Sequence, residues 1–229
     1  MLILPLFTIA CSEQHVEETT ETAYKSKSMK KLDIAPENIA NPYDSAGIIH
    51  NEILEILENI DFTSMSIEDI TILIDSVSAT HPELILLAND ITLSSRVTQI
   101  TAILDQGNPL SGVLVESNLG VSAKASFSTF LSSLLLVANS PYEDIHPIIV
   151  TYEATVLSNT VFSANDKRII LTASSVARYS IAERKRKDKD WETSVTNIIV
   201  AAYGAESNTT LGIKMAATVG ICKSNNISQ

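Results

Sequence analysis

NPYDSAGIIHNEILEILENI, residues 41–60, places apolar side chains at Ile49, Ile53, Ile56, Leu57 and Ile60. The spacing i, i+4, i+7, i+8, i+11 follows the 3.6-residue turn of an α-helix and not the alternation of a strand. Asp44 stands where a helix N-cap belongs. The stretch therefore predicts one amphipathic helix over residues 45–60, with Glu52, Glu55 and Glu58 on the solvent side.

The same period recurs downstream. Ser66 followed by Asp69 predicts a capped helix with Ile70, Leu73, Ile74 and Val77 as its stripe, and Pro82 suits the first turn of a third. Residues 82–106 carry two stripes, Leu84, Leu87, Ala88, Ile91 and then Val97, Ile100, Ile103, Leu104, which belong to one bent helix or to two. Thr92, Ser94 and Ser95 compete for backbone hydrogen bonds between them. Gly107, Asn108 and Pro109 end the run, and residues 110–122, with Gly112 and Gly120, show no clear period. Further helices are predicted over 123–139 (Phe127, Phe130, Leu131, Leu134, Ala138) and 144–158 (Ile145, Ile148, Ile149, Tyr152, Val156), with Pro147 tolerable only near the start. Another follows Ser163 and Asp166, with Ile169, Ala173, Val176, Ala177 and Ile181 buried. The fold class expected is all-α: a multi-helix bundle of about six to eight helices over a single domain, 41–229, with no significant sheet.

Composition agrees. The chain has 229 residues, 45% of them apolar and only 5% aromatic, so its core is built from aliphatic side chains. Seven glycines and seven prolines are too few for the many turns of a β-sandwich or barrel. The net charge of −11 is concentrated in residues 1–69 and repels a phosphate backbone, which argues against nucleic acid as a partner.

Residues 1–10 read as a signal-peptide-like segment: Leu2 to Ala10 is an apolar run too short to span a bilayer. Ala10 precedes Cys11, and SEQHVEETTE follows at once. This order resembles a bacterial lipoprotein signal, in which the cysteine becomes the acylated first residue; Thr8 stands where leucine is usual, and no basic residue precedes Cys11. Residues 11–40 are then expected to form a disordered acidic tether, because Val16, Tyr24, Met29, Leu32 and Ile34 bury too little surface to offset chain entropy. The implied location is the bacterial cell envelope, as an outer-membrane lipoprotein facing periplasm or cell surface.

At the other end, residues 191–222 are predicted to form small-residue-rich helices. Gly204, Gly212, Ala216 and Gly220 fall at multiples of four and line one helix face, which lets another backbone approach. Glu206, Asn208 and Lys214 interrupt any membrane span, so a soluble neighbour is the expected partner of that face. The charge run ERKRKDKD, 183–190, beside Trp191, is read as a solvated helix end or loop.

Asp44, Gly47, His50 and Asn51 occupy i, i+3, i+6 and i+7, on one side of the first helix. Such a set either binds a ligand or locks the helix to a neighbour, with Asp44 capping, Gly47 permitting close approach, and His50 and Asn51 satisfying buried carbonyls. The lock is the expectation. His15, His81 and His146 lie far apart, no HExxH or CxxC occurs, and Ser174 and Ser175 sit within a helix instead of a strand-to-helix elbow. No metal site, cofactor or catalytic residue is expected.

NPYDSAGIIHN at 41–51, LTASSVARYS at 171–180 and the small-residue C-terminal stretch together resemble a family of uncharacterised secreted proteins and lipoproteins of Bacteroidota, whose helical domain opens on Asn-x-x-Asp-x-x-Gly-x-x-His-Asn. Asn41, Asp44, Gly47, His50 and Asn51 match that opening. Family members tend to carry Tyr-Trp where Ile181 and Ala182 follow here. The resemblance implies a helical extracytoplasmic domain and carries no established activity. The function expected is that of a lipid-anchored, non-enzymatic binding or interaction module, whose partners are a membrane, through the anchor, and an unknown protein or small-molecule ligand. The alternatives are an enzyme with its polar centre at Asp44, His50 and Asn51, and a toxin- or bacteriocin-like region at 191–221.

Overall fold

Every residue from Ile169 to Ala182 is buried, a state that a helix reaches only when other helices surround it. The computed structural model describes residues 34–86, 92–106, 114, 116–187 and 192–227. The protein is all-α, with nine α-helices and no strand among the described residues. In chain order the helices are α1 (Ser45–Ile56), α2 (Ile67–Thr80), α3 (Pro82–Leu86), α4 (Val97–Asp105, entered through a 3-10 turn at Leu93–Arg96), α5 (Val121–Leu136), α6 (Tyr142–Ser158), α7 (Ala164–Lys187), α8 (Glu192–Ala205) and α9 (Thr209–Ser224). Helices α1, α6 and α8 pack on α7, and α9 closes against α8, α1 and α2.

Side-chain caps set several boundaries. Ser66 and Asp69 form a reciprocal capping box at the start of α2, and Ser163 and Asp166 form another at the start of α7. The second oxygen of Asp166 accepts from Gly120 N at 2.8 Å, which ties the start of α5 to that of α7. Helix α3 opens on Pro82 and holds Leu84 of the first stripe, while Val97, Ile100, Ile103 and Leu104 of the second lie in α4. Leu87, Ala88, Ile91, Gly107, Asn108, Pro109, Gly112 and Trp191 lie outside the described residues, as do residues 1–33 with Cys11.

Four expectations need correction. Helix α1 ends at Ile56, not at residue 60, and Ile56 faces solvent while Ile49, Ile53 and Leu57 are buried. Asp44 does not cap it: Asp44 has helical backbone angles and its carboxylate turns to Arg178, while the Gly47 N–H is met by Ser175 Oγ of α7 at 2.9 Å. Helices α5 and α6 begin two residues early, which puts Pro147 past the first turn of α6. Residues 36–40, read as the end of the tether, are bonded to the bundle. Arg178 Nη1 donates to Pro36 O, and Asn38 Nδ2 donates to Glu153 Oε2 at 2.6 Å. Polar bonds hold this segment, so its apolar content gave no sign of it.

The small-residue C-terminal face works by close approach. A Cβ on Gly204 would lie 2.7 Å from Gly212 Cα, and one on Gly212 would lie 2.6 Å from Ala201 O, so the backbones of α8 and α9 touch. Asn208 starts α9 by accepting from Leu211 N at 2.8 Å, and Arg168 Nη1 donates to Ala205 O at 2.6 Å at the end of α8. No helix among the described residues is long and apolar enough to cross a membrane.

The same logic at Gly47 gives a measurable consequence. A Cβ there would lie 2.6 Å from Ser175 O and 2.8 Å from Ser175 Oγ, and closer still to the Tyr179 ring. Alanine is the better helix former by about 1 kcal/mol. Gly47→Ala is nevertheless expected to lower stability by about 1–3 kcal/mol in denaturant melts, because α1 must retreat from α7. An alanine variant as stable as the parent would show that the two helices do not meet this closely.

Candidate functional site

Two polar constellations flank α7, and the residues expected to act together divide between them. The first surrounds Arg178, which is wholly buried together with Glu153 of α6. Arg178 Nε donates to both carboxylate oxygens of Glu153, at 3.2 and 3.1 Å, and Nη2 pairs with Asp44 Oδ1. Asn41 Nδ2 and Ser174 Oγ donate to Glu153 Oε1 at 2.7 and 2.8 Å. Burial opposes the charge on Arg178, but Glu153 and Asp44 outweigh it and push its pKa upward. Arg178, Glu153, Asp44, Asn41 and Ser174 all find protein partners, so the cluster reads as a lock between α1, α6, α7 and residues 36–41, although the nearby Tyr142 hydroxyl and His146 Nε2 are buried without one.

The second constellation holds His50 and Asn51. Asn51 Nδ2 donates to Tyr179 O at 3.2 Å, which turns Asn51 Oδ1 toward His50 Nδ1 at 3.1 Å. An amide oxygen only accepts, so Nδ1 carries the proton and Nε2 keeps a bare lone pair. Burial pushes the His50 pKa down to about 4; Asn51 opposes this, and the charge of Arg184 adds to it. Nε2 has no hydrogen-bond partner.

His50 is among the residues lining a cavity of about 270 Å³ between α1, α7, α8 and α9, but its Nε2 is buried and presents no accessible surface there. Ser180 and Asn197 belong to the same lining, and Ser180 Oγ and Asn197 Oδ1 are likewise buried without partners. Leu54, Leu57, Phe62 and Ile221 provide apolar wall, and Glu55, Glu58, Glu183, Arg184 and Lys187 add charged groups to the lining. Lys187 Nζ lies 2.7 Å from Glu58 and 2.9 Å from Glu183, so part of that charge is internally balanced. Gly220 gives the Asn197 amide its room, since a Cβ there would stand 2.9 Å from Asn197 Nδ2.

The structure thus joins His50 to Asn51 and separates both from Asp44. Successive residues of α7 serve both constellations: Arg178 the lock, Tyr179 O the Asn51 amide, Ser180 the cavity. Glu153, Ser180 and Asn197 were not singled out by sequence. Glu153 had a signal, since it falls on the buried stripe of Ile145, Ile149 and Val156 where an apolar residue belongs. Among the described residues no three His, Cys, Asp or Glu side chains are grouped to hold a metal, and Cys222 is a buried thiol pushed up to about 11 by burial. No protein-family model, curated protein or solved structure matches the chain.

The His50 shift fixes a pH dependence. Its folded pKa lies below the ordinary value of 6.5, so protons favour the unfolded chain. The contribution is complete above about pH 6.5, falls as the pH drops through the window, and is lost below about 4, a span on the order of 3 kcal/mol. His146 is also shifted downward by burial and adds to the same trend. Denaturant melts of the parent and of His50→Gln, compared at pH 7 and pH 4.5, are expected to show a smaller acid loss in the variant; equal losses would mean that His50 titrates normally.

Proposed function

We propose that this chain is a helical ligand-binding module, held through an acylated Cys11 to the outer-membrane side of a bacterial envelope. The observation that carries the binding half is the cavity of about 270 Å³ whose lining combines His50, Asn51, Ser180 and Asn197 with Leu54 and Phe62. The tether half is supported by LFTIACSE at 6–13 and by the resemblance to Bacteroidota lipoproteins.

Catalysis is the weaker reading. Ser180, His50 and Asn51 supply the residue types of a nucleophile, a base and an orienting amide, but Ser180 Oγ and His50 Nε2 are not hydrogen-bonded. Ser180 also lies inside α7, whose backbone N–H groups serve the helix and offer no oxyanion donors.

A site kept for a ligand is costly to the empty fold, so its polar residues resist stabilisation only while function requires them. Ser180→Ala and Asn197→Leu are expected to melt at or above the parent temperature. Loss of more than about 1 kcal/mol in both would identify these groups as structural pins instead. In cells, Cys11→Ala is expected to abolish fatty-acid labelling and membrane partitioning; a variant that still fractionates with membranes would remove the anchor.

A further inference from the structure

The geometry points to an acid-released strap: protonation of His146 lifts residues 34–40 from the bundle while the helices stay packed. This goes beyond the ligand-binding reading above and does not depend on it. Polar bonds are what hold the strap. No residue from 34 to 40 is buried, and Ile39 is 98% exposed, so the segment hides little apolar surface. Its bonds run to three charged groups. Arg178 Nη1 donates to Pro36 O, Asn38 Nδ2 donates to Glu153 Oε2 at 2.6 Å, and Asn38 N donates to Asp44 Oδ1 at 3.3 Å. Asn41 is buried, donates to Glu153 Oε1 and to Leu171 O, and forms the fixed end of the segment.

His146 of α6 lies where the strap meets those charges. Its hydrogen bond with the Glu37 backbone favours the charged ring, as a carbonyl acceptor does. Nε2 has no partner, so that bond falls to Nδ1. The neutral ring therefore carries its proton on Nδ1 and buries a bare Nε2. Acid adds the second proton at Nε2, where no acceptor stands to receive the new N–H. The charged ring needs water. Of the elements around it, the strap is the one that holds no buried side chain of its own, and so the one that yields first.

The surrounding groups set the direction. Burial, and after it the Arg178 guanidinium, hold the His146 pKa below its ordinary value, against the Glu37 backbone and the Glu153 carboxylate. Tyr142, whose ring centroid is 5.5 Å from that of His146, and Tyr179 of α7 are both pushed upward by burial and stay neutral. Asp44 is engaged by Arg178 and by the Tyr179 hydroxyl, and Glu143 lies a turn earlier on α6. Lifting the strap gives up the Glu37 contact and hydrates the ring. Burial acts on the closed ring more strongly than that contact does, so the open form binds the proton more tightly. Opening is therefore coupled to proton uptake as the pH falls below the ordinary histidine value, and is suppressed above it.

Hydrogen exchange of the full chain tests this, followed by NMR from about pH 7 to about pH 5 and corrected for the intrinsic pH dependence of exchange. The reporters are the Asn38 and Asn41 amides, which bond to Asp44 Oδ1 and Asn38 O. Their protection is expected to fall several-fold along the titration of the His146 ring, while the α7 amides from Val176 to Ser180 keep theirs. His146→Phe, which keeps a ring and takes no proton, is expected to hold the strap protected throughout. His50→Gln is expected to release it as the parent does. Strap protection that does not change in the parent, a His146→Phe strap that still releases, or α7 amides that open together with the strap would each overturn the inference. Should His146→Phe fail to fold, the parent series decides alone: release with a midpoint away from that of the His146 ring overturns the inference.

Discussion

The contact on which the rest depends is the buried pair of Arg178 and Glu153. An arginine and a glutamate with no exposure are tolerable only if each lone pair and N–H finds a partner, because desolvating two charges costs several kcal/mol apiece. Asn38, Asn41, Ser174, Asp44 and the Pro36 carbonyl supply those partners. Their positions follow from that demand. Residues 36–44 are drawn onto the bundle, α1 is set on α7 at a distance only Gly47 allows, and α6 is fixed from the other side.

The cavity is a consequence of the same placement. With α1 registered on α7, His50 and Asn51 lie one to two turns beyond the lock, beside Tyr179 and Ser180. Helices α8 and α9, in backbone contact at Gly204 and Gly212, close the remaining side and bring Asn197 and Gly220 to it. The two constellations differ in charge and openness: the lock joins buried ionic groups to one another, whereas neutral His50, Ser180 and Asn197 stand at the wall of a cavity. Three consecutive residues of α7, Arg178, Tyr179 and Ser180, stand between them.

Much of the architecture was legible in local pattern. The Ser66–Asp69 and Ser163–Asp166 boxes and the Ile70–Ile74 and Phe127–Leu134 stripes depend on residues a few positions apart, and took the expected form; the small-residue face did not, since Gly204 belongs to α8 and meets Gly212 of α9 across a helix break. Burial of α7 on every side was not legible, because a stripe tells which face is apolar and not how many neighbours a helix has. Asp44 was singled out but given the wrong partner: capping is a local inference, and Arg178 lies far along the chain. His50 and Asn51 were singled out together. The cavity they line is a gap between four helices, a property of packing that no spacing within one helix records.

Equilibrium unfolding of Arg178→Met tests the central dependence most directly. The substitution keeps most of the side chain's length and leaves Glu153 and Asp44 without their shared cation. Breaking a buried pair from one side is expected to cost about 3–5 kcal/mol, with residues 36–44 losing protection from hydrogen exchange. A variant within about 1 kcal/mol of the parent, with that segment still protected, would contradict the account, since the fold would then stand without the pair from which it is derived.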